Sequence, residues 1–340
     1  MDKLPKGRVG WRENKRVRLD LKDIKILSLL SKDSRMPLSK IAKMVKLSRD
    51  IVNYRIRKLV ENEVILRFIP TLSLGKLGYH KFYLFMILDE KNKERVERLK
   101  EVLVSHPNTK SLIEYSSKWD WEWVLVAKDV KEFDSITTGI ISDFHDVIIQ
   151  KSRMEVINEY KLTQLPGKLD IIHLSEKQTQ FSDYALDKKD LAILKVLSED
   201  ARASLFSIGN RIKLSSDAVM YRIRKMLNGG VIKRFTIVVN FDVLNYNWYT
   251  LCVDVKTFDK KDEARLKAFI LDHPYIFKVI KVLGHWDLMF YITADDVIHF
   301  HNTVKEIERI LGDKIVNFET WATYKEHSYP GNPRIIFEKL

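Results

Sequence analysis

A stretch of 22 residues occurs twice in this 340-residue chain, and this repeat restricts the possible folds more than any other feature. Residues 47–68 read LSRDIVNYRIRKLVENEVILRF, and residues 214–235 read LSSDAVMYRIRKMLNGGVIKRF. The offset of 167 residues persists outside the stretch, because Leu19-Asp20, His106-Pro107 and Trp119-Asp120 all return at that distance. A shift that stays constant over a hundred residues predicts a tandem duplication of a two-domain unit rather than a short-period solenoid.

Each copy of the stretch has the pattern of a helix followed by a strand. Ser48 is predicted to cap the helix, because its hydroxyl can accept a hydrogen bond from an N–H group of the first turn. Apolar residues then recur at spacings of four and three, which is typical of a buried helical stripe; they are Val52, Ile56 and Leu59. A short helix is predicted before the stretch, at 38–45, and a wing hairpin at 64–72. This order predicts a winged helix-turn-helix.

A polar stripe follows another side of the same predicted helix. Arg49, Asn53 and Arg57 recur every four residues, and arginine and asparagine can read guanine and adenine through paired hydrogen bonds. Copy two has Ser216 and Met220 where copy one has Arg49 and Asn53, so the two half-sites are not expected to be identical. The residues predicted to contact DNA are Lys46, Ser48, Arg49, Asn53, Arg55, Arg57 and Lys58 in copy one and Ser215, Ser216, Arg222, Arg224 and Lys225 in copy two. A solvated helix face is the alternative, and the recurrence of basic residues in both copies disfavours it.

Residues 80–165 predict the element order β-α-β-β-α-β, and residues 247–330 repeat it. That order is typical of a ferredoxin-like domain, in which helices cover one face of an antiparallel sheet. Residues 82–88 are apolar at nearly every position, so the second face of the sheet also needs cover. We expect it to meet its counterpart within the chain or in another chain, which predicts self-association.

The predicted fold class is α+β, with two winged helix-turn-helix domains alternating with two ferredoxin-like βαββαβ domains. The predicted segments are a basic N-terminal arm at 1–18, winged helix-turn-helix domains at 19–79 and 186–246, ferredoxin-like domains at 80–165 and 247–330, a linker at 166–185 and a C-terminal tail at 331–340. The basic arm is interpreted either as a solvated terminus or as an arm that follows a phosphate backbone.

The net charge of +13, with a pI of about 9.4, favours a polyanionic partner, and the predicted partner is double-stranded DNA. Cys252 is the single cysteine, so no intrachain disulfide can form and a reducing compartment is favoured. The longest apolar run, 82–88, is far shorter than the roughly 20 residues that a membrane helix needs. These features predict a cytoplasmic protein without a membrane partner.

Four sequence features together resemble the Lrp/AsnC (feast/famine) transcriptional regulators. They are the Leu-Asp that opens the helix-turn-helix, the Leu-Ser before its second helix, the Arg-Ile-Arg-Lys within that helix and the Val-Ile after it. The βαββαβ segment resembles that family's ligand-binding, assembly-forming (RAM-type) domain. The resemblance covers residues 19–165 and 186–330. Members of the family usually carry one such unit and dimerise, so the resemblance implies that one duplicated chain supplies the pseudo-dimer.

The resemblance also implies a small effector of amino-acid type, bound near a Gly-x-x-Asp loop between the second and third strands. The matching residues in copy two are Gly284, His285, Trp286 and Asp287. Copy one has Ser117 in place of the glycine, so effector binding is expected in copy two only. A hairpin turn is the alternative role of Gly284, because tight turns between strands often need glycine.

No metal, cofactor or enzymatic activity is predicted. His299 and His301 are two residues apart on a predicted helix and do not share a face. The sequence contains no P-loop, GxGxxG or nucleophile elbow. The alternative is an enzyme, because siroheme decarboxylases resemble the same duplicated architecture. They depend on His, Tyr and Arg near the paired strands, where this chain offers Glu114, Tyr115 and His285 without a repeated His/Arg set.

Overall fold

A computed structural model of the chain describes residues 5–10, 16–172 and 184–338. The chain forms two compact units, and each unit contains segments of both copies. The helix-turn-helix unit comprises residues 17–79, 169–239 and 331–340, and the closed-sheet unit comprises residues 1–16, 80–168 and 240–330, within the described ranges. The division into four separate domains stays a prediction.

In each copy, three helices and one strand are followed by the predicted element order β-α-β-β-α-β. The helices are α1 (Leu21–Lys32), α2 (Leu38–Val45), α3 (Arg49–Glu61), α4 (Lys93–Ser105), α5 (Val130–Asp143), α6 (Lys188–Glu199), α7 (Leu205–Ile212), α8 (Ser216–Asn228), α9 (Lys260–Leu271) and α10 (Val297–Leu311). The strands are β1 (Ile65–Leu72), β2 (His80–Leu88), β3 (Thr109–Tyr115), β4 (Trp121–Ala127), β5 (Ile148–Leu162), β6 (Ile232–Val239), β7 (Asn247–Val255), β8 (Ile276–Leu283), β9 (Leu288–Ala294) and β10 (Ile315–Ser328). This confirms the mixed α+β fold with two helix-turn-helix and two ferredoxin-like parts.

Side-chain caps set the starts of the helices in the helix-turn-helix unit. The Asp20 carboxylate accepts the Asp23 N–H group at 2.8 Å, and the Asp23 carboxylate accepts the Asp20 N–H group, which makes a reciprocal capping box. Copy two repeats this box with Asp187 and Asp190. The Ser48 hydroxyl caps α3, as predicted. These local hydrogen bonds satisfy N–H groups that a helix start would otherwise leave without a partner.

The wing of each copy is a single strand, and the prediction of a wing hairpin at 64–72 was wrong. Strand β1 pairs with β6 of the other copy in an antiparallel ribbon, in which Phe68 lies opposite Ile237. A lone strand would leave its N–H and C=O groups without partners, and the duplicated strand supplies them. The two helix-turn-helix copies are therefore joined by their wings.

The eight remaining strands form one closed sheet in the order β10-β3-β4-β2-β5-β8-β9-β7, in which β7 also pairs with β10. Within copy one, the order β3-β4-β2-β5 is that of a ferredoxin-like sheet. Apolar residues such as Phe82 and Leu84 lie in a common core with side chains of α4 and α5. Copy two has the same arrangement around Leu251 and Phe290 with α9 and α10.

The second face of each ferredoxin-like sheet is covered by the other copy. The copies join through the β5–β8 and β10–β3 pairings, so the sheet closes within one chain. Tyr83 and Phe85 of copy one are fully buried, and the Phe85 ring meets the Trp321 ring of copy two at 5.4 Å between centroids. This confirms the pairing of the two faces within the chain, whereas self-association with a second chain stays a prediction.

Residues 5–10 of the basic arm pack against β10, which corrects the interpretation of Arg8 as part of a solvated or phosphate-binding terminus. Arg8 is 5% exposed, and the Glu326 N–H group donates to the Val9 carbonyl oxygen at 3.0 Å. A Cβ atom at Gly7 would lie 1.9 Å from the Glu326 carbonyl oxygen, so only glycine allows this approach. Lys3, Arg12 and Lys15 of the predicted arm lie outside the described residues. No helix in the described ranges is long and apolar enough to cross a membrane.

Candidate nucleic-acid interface

Helix α3 presents one buried and one exposed side, as its sequence pattern predicts. Val52, Ile56 and Leu59 are buried against the helix-turn-helix core. Arg49, Asn53 and Arg57 are all exposed along the polar side. Asparagine and arginine side chains with this spacing can reach successive base edges in a major groove, because a helix fits that groove. The structure therefore leaves this stripe accessible to DNA.

Helix α8 of copy two presents a weaker set of candidate base contacts. Ser216 and Met220 occupy the positions of Arg49 and Asn53 and are partly buried, whereas Arg224 is exposed. Methionine has no hydrogen-bond donor for a base edge. The two copies therefore differ in the side chains at the positions that are predicted to meet base edges.

The remaining predicted contacts lie around the turn and the far end of each recognition helix. Lys46 is exposed and adopts a left-handed conformation, with φ of 55°, where α2 ends. Ser48 and Ser215 are exposed, and each hydroxyl caps its own recognition helix. Lys58 lies 3.1 Å from Glu61 in an exposed pair, and its charge remains available to a phosphate because such pairs are weak. Exposed Lys225 is the counterpart of Lys58 in copy two.

Arg55 and Arg222 have a structural role. Their contact with DNA stays a prediction, and we expect this role to compete with it. Arg55 Nη1 lies 2.8 Å from carboxylate oxygens of both Asp20 and Asp23, the capping box of α1. Arg222 makes the same contacts with the capping box of α6, at 2.7 and 2.8 Å. Burial would raise the pKa of Asp20, but hydrogen bonds from the Asp23 N–H group and from Arg55 hold that pKa below its ordinary value. Each arginine thus fastens the first helix of its copy to the recognition helix.

A second pair of arginines, Arg35 and Arg202, fastens the two copies to each other. Arg35 Nη1 donates to the Ala203 carbonyl at 2.9 Å, and Arg202 Nη1 donates to the Ser34 carbonyl at 2.9 Å. Each guanidinium also lies over a phenylalanine ring of the opposite wing strand, at 5.4–5.5 Å. From the sequence alone, Arg35 was expected only to lie in a loop. The sequence did offer one signal of its role, because Arg35 returns at the repeat offset as Arg202.

Replacing both Arg35 and Arg202 by methionine is expected to loosen the connection between the two copies. Hydrogen bonds from charged donors contribute about 1.5–3 kcal/mol when well formed, and these two are partly exposed, so we expect a loss of about 1–3 kcal/mol of stability. Urea unfolding would measure this loss, and the affinity for two-half-site DNA should fall with it. Arg211→Met is the matched control, because Arg211 makes only an exposed pair with Glu199 at 2.8 Å. Equal losses in the control and the double variant would refute the role of Arg35 and Arg202.

The Gly284 loop is explained by packing against the neighbouring strand. Gly284 has a φ of 149°, and a Cβ atom there would lie 2.7 Å from the Arg153 carbonyl oxygen. Strands β5 and β8 pair next to this point, with Glu155 opposite Leu283, so the close approach follows from closing the sheet. This arrangement favours a structural role for Gly284, as the hairpin-turn alternative expected, over a ligand contact.

Two other residues of the predicted effector loop also have structural partners. Asp287 Oδ2 accepts the Val255 N–H group at 2.9 Å, and Asp120 accepts the Leu88 N–H group at 2.7 Å in copy one. Trp286 is buried, with its ring 4.9 Å from the His285 ring. His285 is exposed and is therefore the loop side chain best placed to meet a ligand. An effector at this loop stays a prediction.

Glu114 and Tyr115, which were considered for an enzymatic site, have separate partners. Tyr115 is buried and its hydroxyl donates to Glu122 Oε2 at 2.5 Å, whereas Glu114 lies 2.6 Å from His327 Nε2. One group in the described residues has metal-ligand spacing, because the ligand atoms of Asp295, Asp296 and His299 lie within 4.8 Å of one another. His299 Nδ1 lies 2.9 Å from both carboxylates, so ion pairing accounts for this cluster.

Comparison with known protein families places a DNA-binding domain in each copy. The AsnC-type helix-turn-helix domain matches residues 19–60. The winged helix-turn-helix DNA-binding family matches residues 186–233. The two matched segments contain nearly all of α3 and the whole of α8, the two recognition helices.

Each of three curated relatives matches less than half of this chain. An HTH-type transcriptional regulator of Pyrococcus horikoshii is 30% identical over 132 residues, which span 38% of this chain and 81% of that protein. An HTH-type transcriptional regulator of Mycobacterium tuberculosis is 33% identical over 122 residues, 36% of this chain and 82% of that protein. The regulator LysM of Saccharolobus solfataricus is 26% identical over 140 residues, 40% of this chain and 96% of that protein.

One solved structure matches the duplicated architecture over nearly its whole length. It is the siroheme decarboxylase NirDL, with a TM-score of 0.63 over 94% of this chain and 96% of that chain. The sequences are 13% identical, so this likeness shows a shared fold and nothing about shared chemistry.

Proposed function

This chain belongs to the Lrp/AsnC family of helix-turn-helix transcriptional regulators, and on that premise we propose that it is a sequence-specific regulator that binds double-stranded DNA. Its two recognition helices, α3 and α8, each enter a major groove and read an imperfect palindrome. The protein is not an enzyme in this proposal. Its buried Cys252 and lack of a disulfide are compatible with a reducing, cytoplasmic setting.

The observation that carries this proposal is the exposed stripe of Arg49, Asn53 and Arg57 on a capped helix that follows a tight turn. The opposite side of that helix is buried in the core, so the packing of the helix does not depend on the stripe. Such donors can read base edges, while lysines near the turn, such as Lys46, hold phosphate. The joined wings and the Arg35–Arg202 exchange supply two reading helices within one compact unit.

Selection of bound sites from random double-stranded DNA tests the proposal directly. We expect enrichment of a motif with two related but unequal half-sites, because the two helices carry different side chains. Recovery of no motif, with equal binding to every sequence, would exclude sequence-specific recognition. A motif with one half-site only would assign all reading to a single helix.

Replacing Arg49 and Asn53 by alanine is expected to relax specificity at one half-site. Each true bidentate base contact contributes about 1–3 kcal/mol of discrimination, so the selected operator should lose that amount relative to scrambled DNA. The measurement is a pair of affinities, on operator and on scrambled DNA, at one fixed salt concentration.

Ser216→Ala and Met220→Ala provide the matched control for this prediction, because they occupy the same positions in copy two. They should cost less, since serine is a short donor and methionine offers none. A larger loss of specificity in copy two would show that the main reading helix has been assigned to the wrong copy. An Arg49→Ala loss of equal size on all DNA sequences would reduce the stripe to surface charge.

The regulator is further proposed to respond to a small effector of amino-acid type at the copy-two loop, with His285 as the exposed contact. Support comes from the exposure of His285 at this loop. The test is operator affinity with and without each free amino acid, in wild type and His285→Ala.

Sedimentation over a range of concentrations tests the proposed self-association through the ferredoxin-like parts.

A siroheme decarboxylase-like enzyme is the second candidate, and it rests on the duplicated fold shared with NirDL alone. The described cavity inside the closed-sheet unit holds about 30 Å³, far below the roughly 300 Å³ that even a drug-sized ligand needs. Absorbance of the purified chain with an added tetrapyrrole, compared with a gel shift on its own promoter, distinguishes the candidates. A tetrapyrrole spectrum that changes on binding, without a gel shift, would favour the enzyme.

A further inference from the structure

A groove lies between the start of α1 and the recognition helix α3 in copy one. Its volume is about 470 Å³, within the range of roughly 300–1,000 Å³ that is usual for small-molecule pockets. Ile51 and Tyr54 line it and are exposed, so the groove is open to solvent. Its other walls include an aliphatic side chain, a carboxylate, a cation and an amide, which are those of Val17, Asp23, Lys58 and Asn62.

The equivalent place in copy two is taken by a tyrosine of the chain itself. Val17 returns at the repeat offset as Tyr184. The Tyr184 hydroxyl donates to Asp190 Oδ2 at 2.8 Å, and Asp190 is the copy-two counterpart of Asp23. Lys225, which corresponds to Lys58, has its Nζ atom 6.0 Å from the centre of the Tyr184 ring. The duplication therefore shows which chemical group this place in the fold accepts, namely a phenol.

A glycine of copy two gives that tyrosine its room. A Cβ atom at Gly229 would lie 2.7 Å from the Tyr184 Cβ atom, so a larger residue there would displace the ring. The copy-one counterpart of Gly229 is Asn62. Copy one thus has neither the tyrosine nor the glycine at these two positions, and Val17 leaves the place of the ring open.

The carboxylate of the groove differs between the copies in the way that a missing phenol predicts. The Asp190 side chain is 1% exposed, whereas the Asp23 side chain is 18% exposed. Asp190 Oδ2 accepts the Asp187 N–H group at 3.0 Å in addition to the Tyr184 hydroxyl. Asp23 Oδ2 accepts the Asp20 N–H group at the longer distance of 3.3 Å. Asp23 can therefore accept a hydroxyl in the same way as its counterpart.

The phenol in copy two acts as a hydrogen-bond donor at neutral pH. Burial, together with the hydrogen bond to Asp190, raises the pKa of Tyr184 to about 12, so its hydroxyl keeps its proton. A phenol that enters the copy-one groove meets the same kind of carboxylate and would be held in the same protonated state.

We propose that the copy-one groove binds a small phenolic molecule, whose ring takes the place that Tyr184 takes in copy two and whose hydroxyl donates to Asp23. Lys58 lies beside this ring as Lys225 lies beside Tyr184, and a ring face attracts such a cation. Because Tyr54 and Lys58 belong to α3, the ligand contacts the recognition helix of one copy only. The site lies in the helix-turn-helix unit, is separate from the Gly284 loop, and does not require DNA to be bound.

Calorimetric titration of the full chain with p-cresol tests the proposal without DNA. We expect saturable binding of one equivalent. Toluene keeps the ring and the methyl group but has no hydroxyl, so it should bind at least about tenfold more weakly through the loss of a hydrogen bond to a carboxylate. Equal affinities for both compounds would assign the groove to any apolar group and overturn the phenol assignment. The absence of saturable binding would leave the groove to a larger partner or to none, and would also overturn it.

Exchanging the residues of the two copies locates the bound phenol. The double variant Val17→Tyr with Asn62→Gly gives copy one the residues of copy two, and its new ring should abolish p-cresol binding by filling the groove. Tyr184→Val makes the opposite change in copy two and should create a second bound equivalent. Lys91→Tyr is the control, because Lys91 is 92% exposed in the other unit and an added tyrosine there should leave one equivalent.

Either exchange can contradict the proposal by itself. One bound equivalent in the double variant would place the p-cresol outside the groove. If the double variant does not fold, Tyr184→Val still decides, because a single equivalent in that variant would show that the place of the ring does not bind a free phenol.

Discussion

Affinity for DNA is expected to fall about 10³–10⁵-fold when salt rises from 50 to 200 mM, if the protein neutralises roughly 6–10 phosphates. The reason is that each lysine or arginine bound to a phosphate releases a condensed counterion, and added salt opposes that release. The chain carries a net charge of +13, and each recognition helix exposes basic side chains, among them Arg49 and Arg57 on α3 and Arg224 and Lys225 on α8.

The structure restricts which side chains can contribute to this salt dependence. Arg55 and Arg222 are held by the carboxylates of the capping boxes, so they should not contribute. Arg8 is buried in the closed-sheet unit and is also excluded. Exposed lysines at the turn and on the preceding helix remain, among them Lys46 and Lys43. These positions suit phosphate contact, because the residues around a helix-turn-helix turn lie near the backbone when the second helix occupies the groove.

Fluorescence anisotropy with the selected operator at several salt concentrations measures the slope of log affinity against log salt. Lys46→Gln should reduce the magnitude of that slope by about one phosphate contact, and its effect should be similar on all sequences. Lys91→Gln serves as the control, because Lys91 lies in the closed-sheet unit and is not expected to touch DNA. A flat salt dependence would argue against DNA as the partner.

Replacing Arg8 by methionine is expected to cost about 3–5 kcal/mol of stability, because it leaves a buried carboxylate without its countercharge. Glu326 is fully buried, and it accepts the Arg8 backbone N–H group at 2.8 Å and Arg8 Nε at 2.9 Å. Arg8 Nη2 donates to Glu326 Oε1 at 2.8 Å, and the Ser111 hydroxyl donates to the same oxygen at 2.7 Å. The guanidinium also lies 4.1 Å from the centre of the Tyr329 ring and 4.7 Å from that of Trp248, so the substitution also removes packing.

The effect of Arg8→Met should depend on pH in a defined direction. Burial alone would raise the pKa of Glu326, but the charge of Arg8 and the hydrogen bonds from Arg8 and Ser111 hold it below its ordinary value of 4.5. A lowered pKa in the folded state contributes stability that is present above pH 4.5 and is lost as the pH falls through the folded-state pKa. The unfolded state is the same in both proteins, and in the variant burial without Arg8 raises the pKa of Glu326. The difference in stability between wild type and variant should therefore be largest at neutral pH and should narrow as the pH falls and the buried carboxyl of the variant takes up a proton.

Urea unfolding at pH 7 and at pH 4 measures this difference. Arg98→Met is the matched control, because Arg98 makes an exposed pair with Glu101 at 2.9 Å in the same unit, and its loss should be below about 1 kcal/mol. The double variant Arg8→Met with Glu326→Met should recover part of the loss, since no buried charge then remains. A loss in Arg8→Met no larger than in the control would show that the pair contributes nothing to the fold.

Local and periodic features of the chain were predictable from the sequence. The repeat offset, the apolar stripe of α3, the caps at Asp20 and Ser48 and the β-α-β-β-α-β order all depend on residues within a few positions of one another or on a constant shift. Hydrogen bonding and helical periodicity act over those short distances, so residue type and spacing are sufficient to determine them. The exposure of Arg49, Asn53 and Arg57 follows from the same periodicity.

Only the tertiary structure decided which distant groups meet. The pairing of β1 with β6, the partners of Arg55 and Arg35, and the burial of Arg8 beside Glu326 join residues between 30 and 320 positions apart, roughly, along the chain. A basic residue in a sequence does not show whether a carboxylate will reach it, because that depends on how the strands of the two copies close into one sheet.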